Sequence, residues 1–227
     1  MRPSPVAEGS RTDRSERAAR AAAARKAEEK KERRRRTLVV AATATAVVVL
    51  AATVGTVIYV ETAADRELAA AAEQPIDGVQ EFGGRYGVDL GRNHVTTDVT
   101  YEQVPPVGGD HDQVWQNCGV YTDQAQVADR NAVHALEHGA VWVTYDPSLP
   151  ADDVAVLRDA VSVSDYTLLS PYAGVPSPVV ASAWGEQLQL QDPSDPRLAV
   201  FLRKYVQGPQ TPEPGAPCTG GTGTPSS

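Results

Sequence analysis

The feature that most constrains this chain is an uninterrupted run of 24 uncharged residues at positions 37–60. A helix rises about 1.5 Å per residue, so this run spans roughly 36 Å, more than the ~30 Å hydrocarbon core of a bilayer. Its threonine hydroxyls can bond back to helix carbonyls and are therefore tolerated in an apolar setting. The sequence predicts one transmembrane helix over residues 37–60, and a cleaved signal peptide is the alternative.

Charge is distributed very unevenly around this run. Residues 1–36 hold 13 Lys/Arg and 6 Asp/Glu, a net charge of +7, whereas the remainder holds 8 and 23, a net charge of −15. Because basic residues favour the cytoplasmic side of a membrane helix, we predict a cell-membrane protein with a cytoplasmic tail at 1–36 and an extracytoplasmic C-terminal part. The tail is expected to attract anionic lipid headgroups. The acidic remainder argues against nucleic-acid binding, and no particular protein partner is indicated.

After the apolar run, the sequence predicts a stalk at 61–74, a folded domain at 75–207 and a Pro/Gly-rich tail at 208–227. Helices and strands are mixed in the domain without a regular βαβ alternation. We therefore predict an α+β fold, with a small mixed or antiparallel sheet and a few packing helices, preceded by the transmembrane helix. Periodicity and turn signals predict helices at 126–138, 152–161 and 197–206, and strands near 76–82, 140–145, 166–169 and 179–183.

The chain has two cysteines, Cys118 and Cys218, and both fall in the part predicted to be extracytoplasmic. That compartment permits disulfides. A bond between them would pin the Pro/Gly-rich tail across the domain and close a loop of roughly 100 residues, which the chain-entropy treatment values at up to ~4.7 kcal/mol. Two alternatives remain open, a metal-ligand role for Cys118 near His111 and a pair of free thiols.

The histidines point to a candidate ligand site. His134, Glu137 and His138 form an H-x-x-E-H pattern, and histidines four residues apart on a helix share one face, where two imidazoles can ligate one metal ion. Gly139 is expected to end that helix. His111 lies in the segment P-P-V-G-G-D-H at 105–111, which predicts a tight turn that fixes its backbone.

The identity of the third ligand is open at this point. No His or Cys lies between His138 and Cys218, so an upstream residue is needed, with His111 as the first choice and His94 as the second. Nitrogen ligands suit Zn or Cu. The same pattern also fits an inverted zinc-protease signature with Glu137 as general base. A purely structural cluster, in which the helix dipole favours a C-terminal histidine, is the remaining interpretation.

The histidine segments described above, together with several aromatic, glycine and proline positions of the domain, resemble a bacterial family known as domain of unknown function 3105 (DUF3105). The resemblance extends over about residues 76–205. Members are typically membrane-anchored or secreted, and the resemblance implies no established activity, substrate or cofactor. One departure stands out, because Gly108 occupies the place of Ser or Thr in the family pattern P-P-x-S-G-x-H. The resemblance rests on His94, Tyr101, Pro105, Pro106, Gly109, Asp110, His111, Trp115, Gly119, Val120, Tyr121, residues 133–141, Tyr145, Asp146 and Pro147.

Three functions compete at this stage, and the sequence favours a non-catalytic role over an enzyme. The first is a cell-envelope binding or assembly module built round the His/Glu cluster, with Trp115, Trp142 and Trp184 as scaffold or ligand pocket. The second is an extracytoplasmic metal-binding protein for Zn or Cu. The third, least favoured, is a metallohydrolase that uses Glu137 as its base.

Overall fold

A computed structural model of the protein describes residues 9–226. The first eight residues of the predicted tail at 1–36, and the last residue of the chain, lie outside this range. The described part of the chain divides into two compact units, one that ends at Ala63 and one that begins at Ala64. Helix α1, Gly9–Ala72, begins in the first unit and ends in the second, so it includes most of the predicted stalk.

Helix α1 contains a segment, Glu16–Thr53, that is long and apolar enough to cross a membrane, with a mean hydropathy of 1.8 in its most apolar stretch. That stretch is not buried against other protein. Hydroxyls of Thr43, Thr45 and Thr56 donate to carbonyls one turn back, as expected for threonine in such a helix. The finding fits either a membrane anchor or a signal sequence near the N-terminus.

The second unit is built on a mixed six-stranded sheet, whose strands are β1 Val79–Glu81, β2 Gly119–Val120, β3 Val141–Tyr145, β4 Thr167–Pro171, β5 Val179–Ala183 and β6 Glu186–Leu190. Their order in the sheet is β1-β6-β5-β3-β4-β2. Strand β4 pairs in parallel with β2 and with β3, and the other pairs are antiparallel. This confirms the predicted α+β class.

Three helices cover the two faces of this sheet: α2 Asp129–Glu137, α3 Ala151–Val161 and α4 Pro196–Tyr205. Strand β3 shows how the faces are assigned, because side chains alternate along a strand. Val141 and Val143 join the apolar cluster formed with α3 and α4, whereas Trp142 joins the cluster formed with α2. The candidate site lies on the α2 side.

The predicted helices at 152–161 and 197–206 are confirmed to within one residue at each end, as is the strand at 179–183. The helix predicted at 126–138 is shorter, because Gln124–Gln126 forms a separate turn of 3-10 helix, capped by Asp123. Strands β2 and β6 were not predicted.

Strand β6 carries an unusual buried carboxyl group, Glu186, which is only 5% exposed. In the β1–β6 register it lies directly opposite exposed Glu81. Burial first, and then the like charge of Glu81, raise the pKa of Glu186 from 4.5 to about 7. The folded protein therefore binds more protons than the unfolded chain between these pKa values, and its stability falls as the pH rises through that window.

Glu186→Gln is expected to raise the free energy of unfolding at pH 8 by about 1–3 kcal/mol, because the neutral amide removes the cost of a buried charge. Below pH 4.5 the effect should be small, since the carboxyl is then protonated in both states. Urea unfolding at the two pH values measures the difference. Glu81→Gln is the matched control and should give a smaller gain at pH 8. An equal change for Glu186→Gln at both pH values would contradict the assignment.

Candidate metal centre

Helix α2 supplies two of the side chains at this site, His134 and Glu137, which lie three residues apart on one side of the helix. All residues from 132 to 137 are buried, because the sheet covers one side of α2 and loops cover the other. Near its beginning, Asp129 accepts a hydrogen bond from the Tyr172 hydroxyl at 3.0 Å. The helix ends at Glu137, and Gly139 turns the chain with φ +93°, a conformation that favours glycine.

Two loops bring His94 and His111 together as neighbours. The His111 amide donates to the Asn93 carbonyl at 3.0 Å, and the Val95 amide donates to the His111 carbonyl at 2.7 Å. The Asp110 carboxylate accepts two further bonds from Asn93. Through these contacts the two irregular segments pair with each other as two short parallel strands would.

Four side chains converge between α2 and these loops. Among the described residues, His94, His111, His134 and Glu137 each place one potential ligand atom so that all four atoms lie within 4.8 Å of one another. Glu137 Oε2 lies 3.0 Å from His111 Nε2 and 3.9 Å from His94 Nε2. The side chains of His111 and Glu137 are 0% and 4% exposed, whereas that of His94 is 48% exposed. Three of the four side chains are therefore buried, and the group reaches solvent through His94.

Hydrogen bonds to the backbone fix which imidazole nitrogens face the group. His111 Nδ1 lies 2.8 Å from the Gly109 carbonyl oxygen, and His134 Nδ1 lies 2.6 Å from the Asp112 carbonyl oxygen. A carbonyl oxygen only accepts, so in each neutral ring Nδ1 carries the proton and Nε2 keeps its lone pair. Gly109, at φ +116°, adopts a backbone conformation that favours glycine in the turn preceding His111.

Two of the converging atoms lack a hydrogen-bond partner. His111 Nε2 and Glu137 Oε2 are 3.0 Å apart but are not aligned for a hydrogen bond, and no other group in the described part of the chain bonds to either. A buried carboxylate oxygen that faces an imidazole lone pair is costly unless a proton or a cation lies between them. The donor set therefore fits a metal ion.

The titration behaviour of two members of the group, His134 and Glu137, is consistent with ligands that are ready to bind a cation. Burial lowers the pKa of His134 to about 4, and the neighbouring histidines add to the shift. For Glu137, burial alone would raise the pKa, but His111, His134 and His94 outweigh it and lower the pKa. At neutral pH His134 is thus neutral and Glu137 is ionised, which are the states that ligate metals. Burial alone would lower the pKa of His111. Glu137 and the Gly109 carbonyl together outweigh burial, so the pKa of His111 is raised.

The structure does not bring His138 into this group. His138 caps the helix, and its Nδ1 lies 2.7 Å from the Pro217 carbonyl oxygen of the C-terminal tail. Its Nε2 faces the Glu213 carboxylate at 3.8 Å. Although the His134 and His138 rings are 4.5 Å apart, His138 is directed to the tail instead. His94, the second choice from sequence, joins the group in its place.

The two cysteines lie at disulfide distance, with Cα atoms 5.3 Å apart, and Cys118 is not part of the His/Glu group. The tail that carries Cys218 contacts the domain along much of its length. The Glu213 amide donates to the Glu137 carbonyl at 3.0 Å, and the Cys118 amide donates to the Cys218 carbonyl at 2.8 Å. The tail therefore contacts the end of the helix that supplies two candidate ligands.

The three tryptophans occupy different places. Trp184 packs edge-on against His111 with ring centroids 6.1 Å apart, and Trp115 contacts both His134 and His138 at 5.7 and 5.1 Å. Trp142 lies in the sheet and donates to Ser170 Oγ at 3.0 Å. Two of the three thus contact the rings of the site, and the third belongs to the scaffold.

The presence of Gly108 where the family pattern has Ser or Thr has a steric explanation. A Cβ at this position would lie 2.6 Å from Leu90 Cδ1 and 3.3 Å from a ring atom of Trp184, and the backbone has φ +156°. A Ser or Thr here would therefore require its neighbours to shift. In this protein the position supplies close packing rather than a hydroxyl.

Comparison with known proteins places the site within a sequence family. A family model described as "Protein of unknown function (DUF3105)" matches residues 94–220, more than half of the chain. The match begins at His94 and includes the four converging side chains and both cysteines. Neither the curated proteins nor the solved structures compared with the chain give a match. The chain belongs to the DUF3105 family.

Proposed function

We propose that this protein binds one divalent transition-metal ion through His94, His111, His134 and Glu137. The observation that carries the proposal is the buried contact between His111 Nε2 and Glu137 Oε2, where a lone pair faces a carboxylate with no aligned donor. A cation between the ligand atoms would satisfy both. The competing account is a metal-free cluster in which a proton on His111 serves the same purpose.

The ligand set indicates the class of metal. Three imidazoles and one carboxylate, without a thiolate, suit Zn²⁺ or Cu²⁺. Around a tetrahedral ion with bonds of 2.0–2.1 Å, ligand atoms lie roughly 3.3 Å apart. The distances from Glu137 Oε2 to His111 and His94, 3.0 and 3.9 Å, lie on either side of that value. His94, the most exposed member, is the ligand that can move inward on binding.

The proposal places this centre on the extracytoplasmic side of the cell membrane. The basic residues before the apolar part of α1 favour an N-terminus in the cytoplasm and a membrane-anchored C-terminal part in the cell envelope. The cysteine pair at disulfide distance supports an oxidising compartment. The basic tail would then lie against the anionic headgroups of the inner leaflet.

A metallohydrolase is less well supported by the same geometry. The general base of such an enzyme is a carboxylate that does not ligate the metal. Glu137 is instead one of the four converging side chains, and no other Asp or Glu of the described chain belongs to the group. The geometry thus favours metal binding over hydrolysis.

Metal analysis of the full-length protein, purified in detergent without a histidine tag, tests the proposal. After incubation with Zn²⁺ or Cu²⁺ and desalting, we expect about one ion per chain. His134→Ala should weaken binding by about 100-fold or more, because loss of a ligand exceeds the effect of altering a residue behind one.

His138→Ala is the matched control, since it removes a neighbouring buried histidine of the same helix that lies outside the group. Its affinity should stay close to that of the unmodified chain. A metal content near zero in the unmodified protein would exclude the proposal. Equal losses for the two variants would show that the ligand set is wrong.

A further inference from the structure

Arg130 lies one turn before His134 on α2 and contacts every segment that supplies a ligand. Its Nη1 donates to the Val95 carbonyl at 3.1 Å and to the Thr97 carbonyl at 3.0 Å, in the loop that carries His94. Its Nη2 lies 3.5 Å from the Asp112 carboxylate, in the loop that carries His111. These contacts are three-quarters buried, with side-chain exposures of 26% and 25% for the ion pair.

Asp112 is held by Arg130 at two points. Besides the ion pair, the Asp112 amide donates to the Arg130 carbonyl at 3.3 Å. The Asp112 carbonyl in turn accepts the bond from His134 Nδ1 that fixes the orientation of that ring. Arg130 therefore acts on His134 through Asp112, on His111 through the adjoining peptide, and on His94 through the two carbonyls after it.

We infer that Arg130 is the positioning residue of the His94–His111–His134–Glu137 group, holding the two ligand loops against α2 in the geometry that accepts a metal ion. Its effect on metal affinity rests on the function proposed above. Its effect on the loops does not, because the contacts are made by the protein alone.

The chemistry of the contacts requires arginine rather than any cation. A guanidinium presents five donors in a planar fork and can serve two carbonyls and a carboxylate at the same time. A lysine ammonium is a compact charge on a flexible stem, and it would not hold the same three acceptors in fixed directions. Arg130→Lys thus keeps the charge and removes the geometry.

The test compares Arg130→Lys with Arg197→Lys in the full-length chain in detergent. Arg197 is a matched control on α4, because it pairs with Asp195 at 2.7 Å and donates to the Asp77 carbonyl at 3.0 Å, away from the group. In competition with a chromophoric chelator, Arg130→Lys should weaken Zn²⁺ binding by about tenfold or more. Arg197→Lys should leave the affinity unchanged.

A second readout needs no metal. In the metal-free chain, the Val95 and His111 amides should lose protection from hydrogen exchange in Arg130→Lys and keep it in Arg197→Lys. Asp112→Asn, which removes only the ion pair, should give a smaller loss at the same amides and serves if Arg130→Lys does not fold. Unchanged exchange at both amides would overturn the inference.

The outcomes separate the two proposals. If the unmodified chain binds neither Zn²⁺ nor Cu²⁺, the proposed function fails, and the exchange experiment alone decides whether Arg130 positions the group. If the unmodified chain binds metal and Arg130→Lys binds it equally well, the positioning role is wrong and the metal site stands.

Discussion

Replacing Cys118 and Cys218 with serine is expected to lower the free energy of unfolding of the second unit by about 3–4.7 kcal/mol. The bond would close a loop with a sequence separation of 100, and opening it returns that loop's freedom to the unfolded chain. The tail would then be held by hydrogen bonds alone, including those at Glu137 and Cys118. Urea unfolding of the full-length chain in detergent, with and without reductant, measures the loss.

The serine variant provides its own control, because reductant should destabilise the unmodified protein and leave the variant unchanged. Mass spectrometry of the exported protein should find the two cysteines linked. Both thiols free in that material would refute the bond, and with it one support for an extracytoplasmic location.

Protease added to intact spheroplasts is expected to remove nearly all of an epitope tag placed after Ser227. The reason is the charge around α1: the residues before the apolar run carry a net +7 and those after it a net −15. Positive charge is retained on the cytoplasmic side during insertion, so the acidic part is expected to be exported. Immunoblotting before and after protease treatment measures the fraction of tag that is accessible.

A second tag at the N-terminus is the matched control and should be digested only after lysis. The reverse pattern, with the C-terminal tag protected in sealed spheroplasts, would place the His/Glu group in the cytoplasm. Release of the tagged part into the medium, without protease, would instead indicate cleavage of the apolar run as a signal peptide.

Elements with a clean hydrophobic pattern were predictable from sequence. Helix α4 presents Leu198, Phe201, Leu202 and Tyr205 on one face, and all four are buried as expected. Strand β6 was missed because two of its buried residues, Glu186 and Gln187, are polar. Gln187 donates hydrogen bonds to Ser182 on the neighbouring strand and to the Pro105 carbonyl, 82 residues away in sequence. No local periodicity reveals the second of these contacts.

The candidate site could likewise be predicted from sequence only in part. From the sequence, helix geometry pairs His134 with His138 and places Glu137 on nearly the same face, and His111 is the first-choice upstream ligand. That His94 belongs to the group and His138 does not depends on long-range contacts, which the sequence pattern does not show. His94 is joined to His111 by pairing of two loops, whereas His138 is directed to Pro217, 79 residues away in sequence.

The attachment of the C-terminal tail to α2 has a consequence for proteolytic processing. Cleavage after Gln207, together with reduction of the Cys118–Cys218 bond, would release the tail and with it the Glu213 amide that donates to the Glu137 carbonyl. Such a cut would spare every side chain of the converging group yet loosen the helix end that supports it. Release of the last twenty residues is therefore expected to lower metal retention by a molecule whose proposed ligands are all still present.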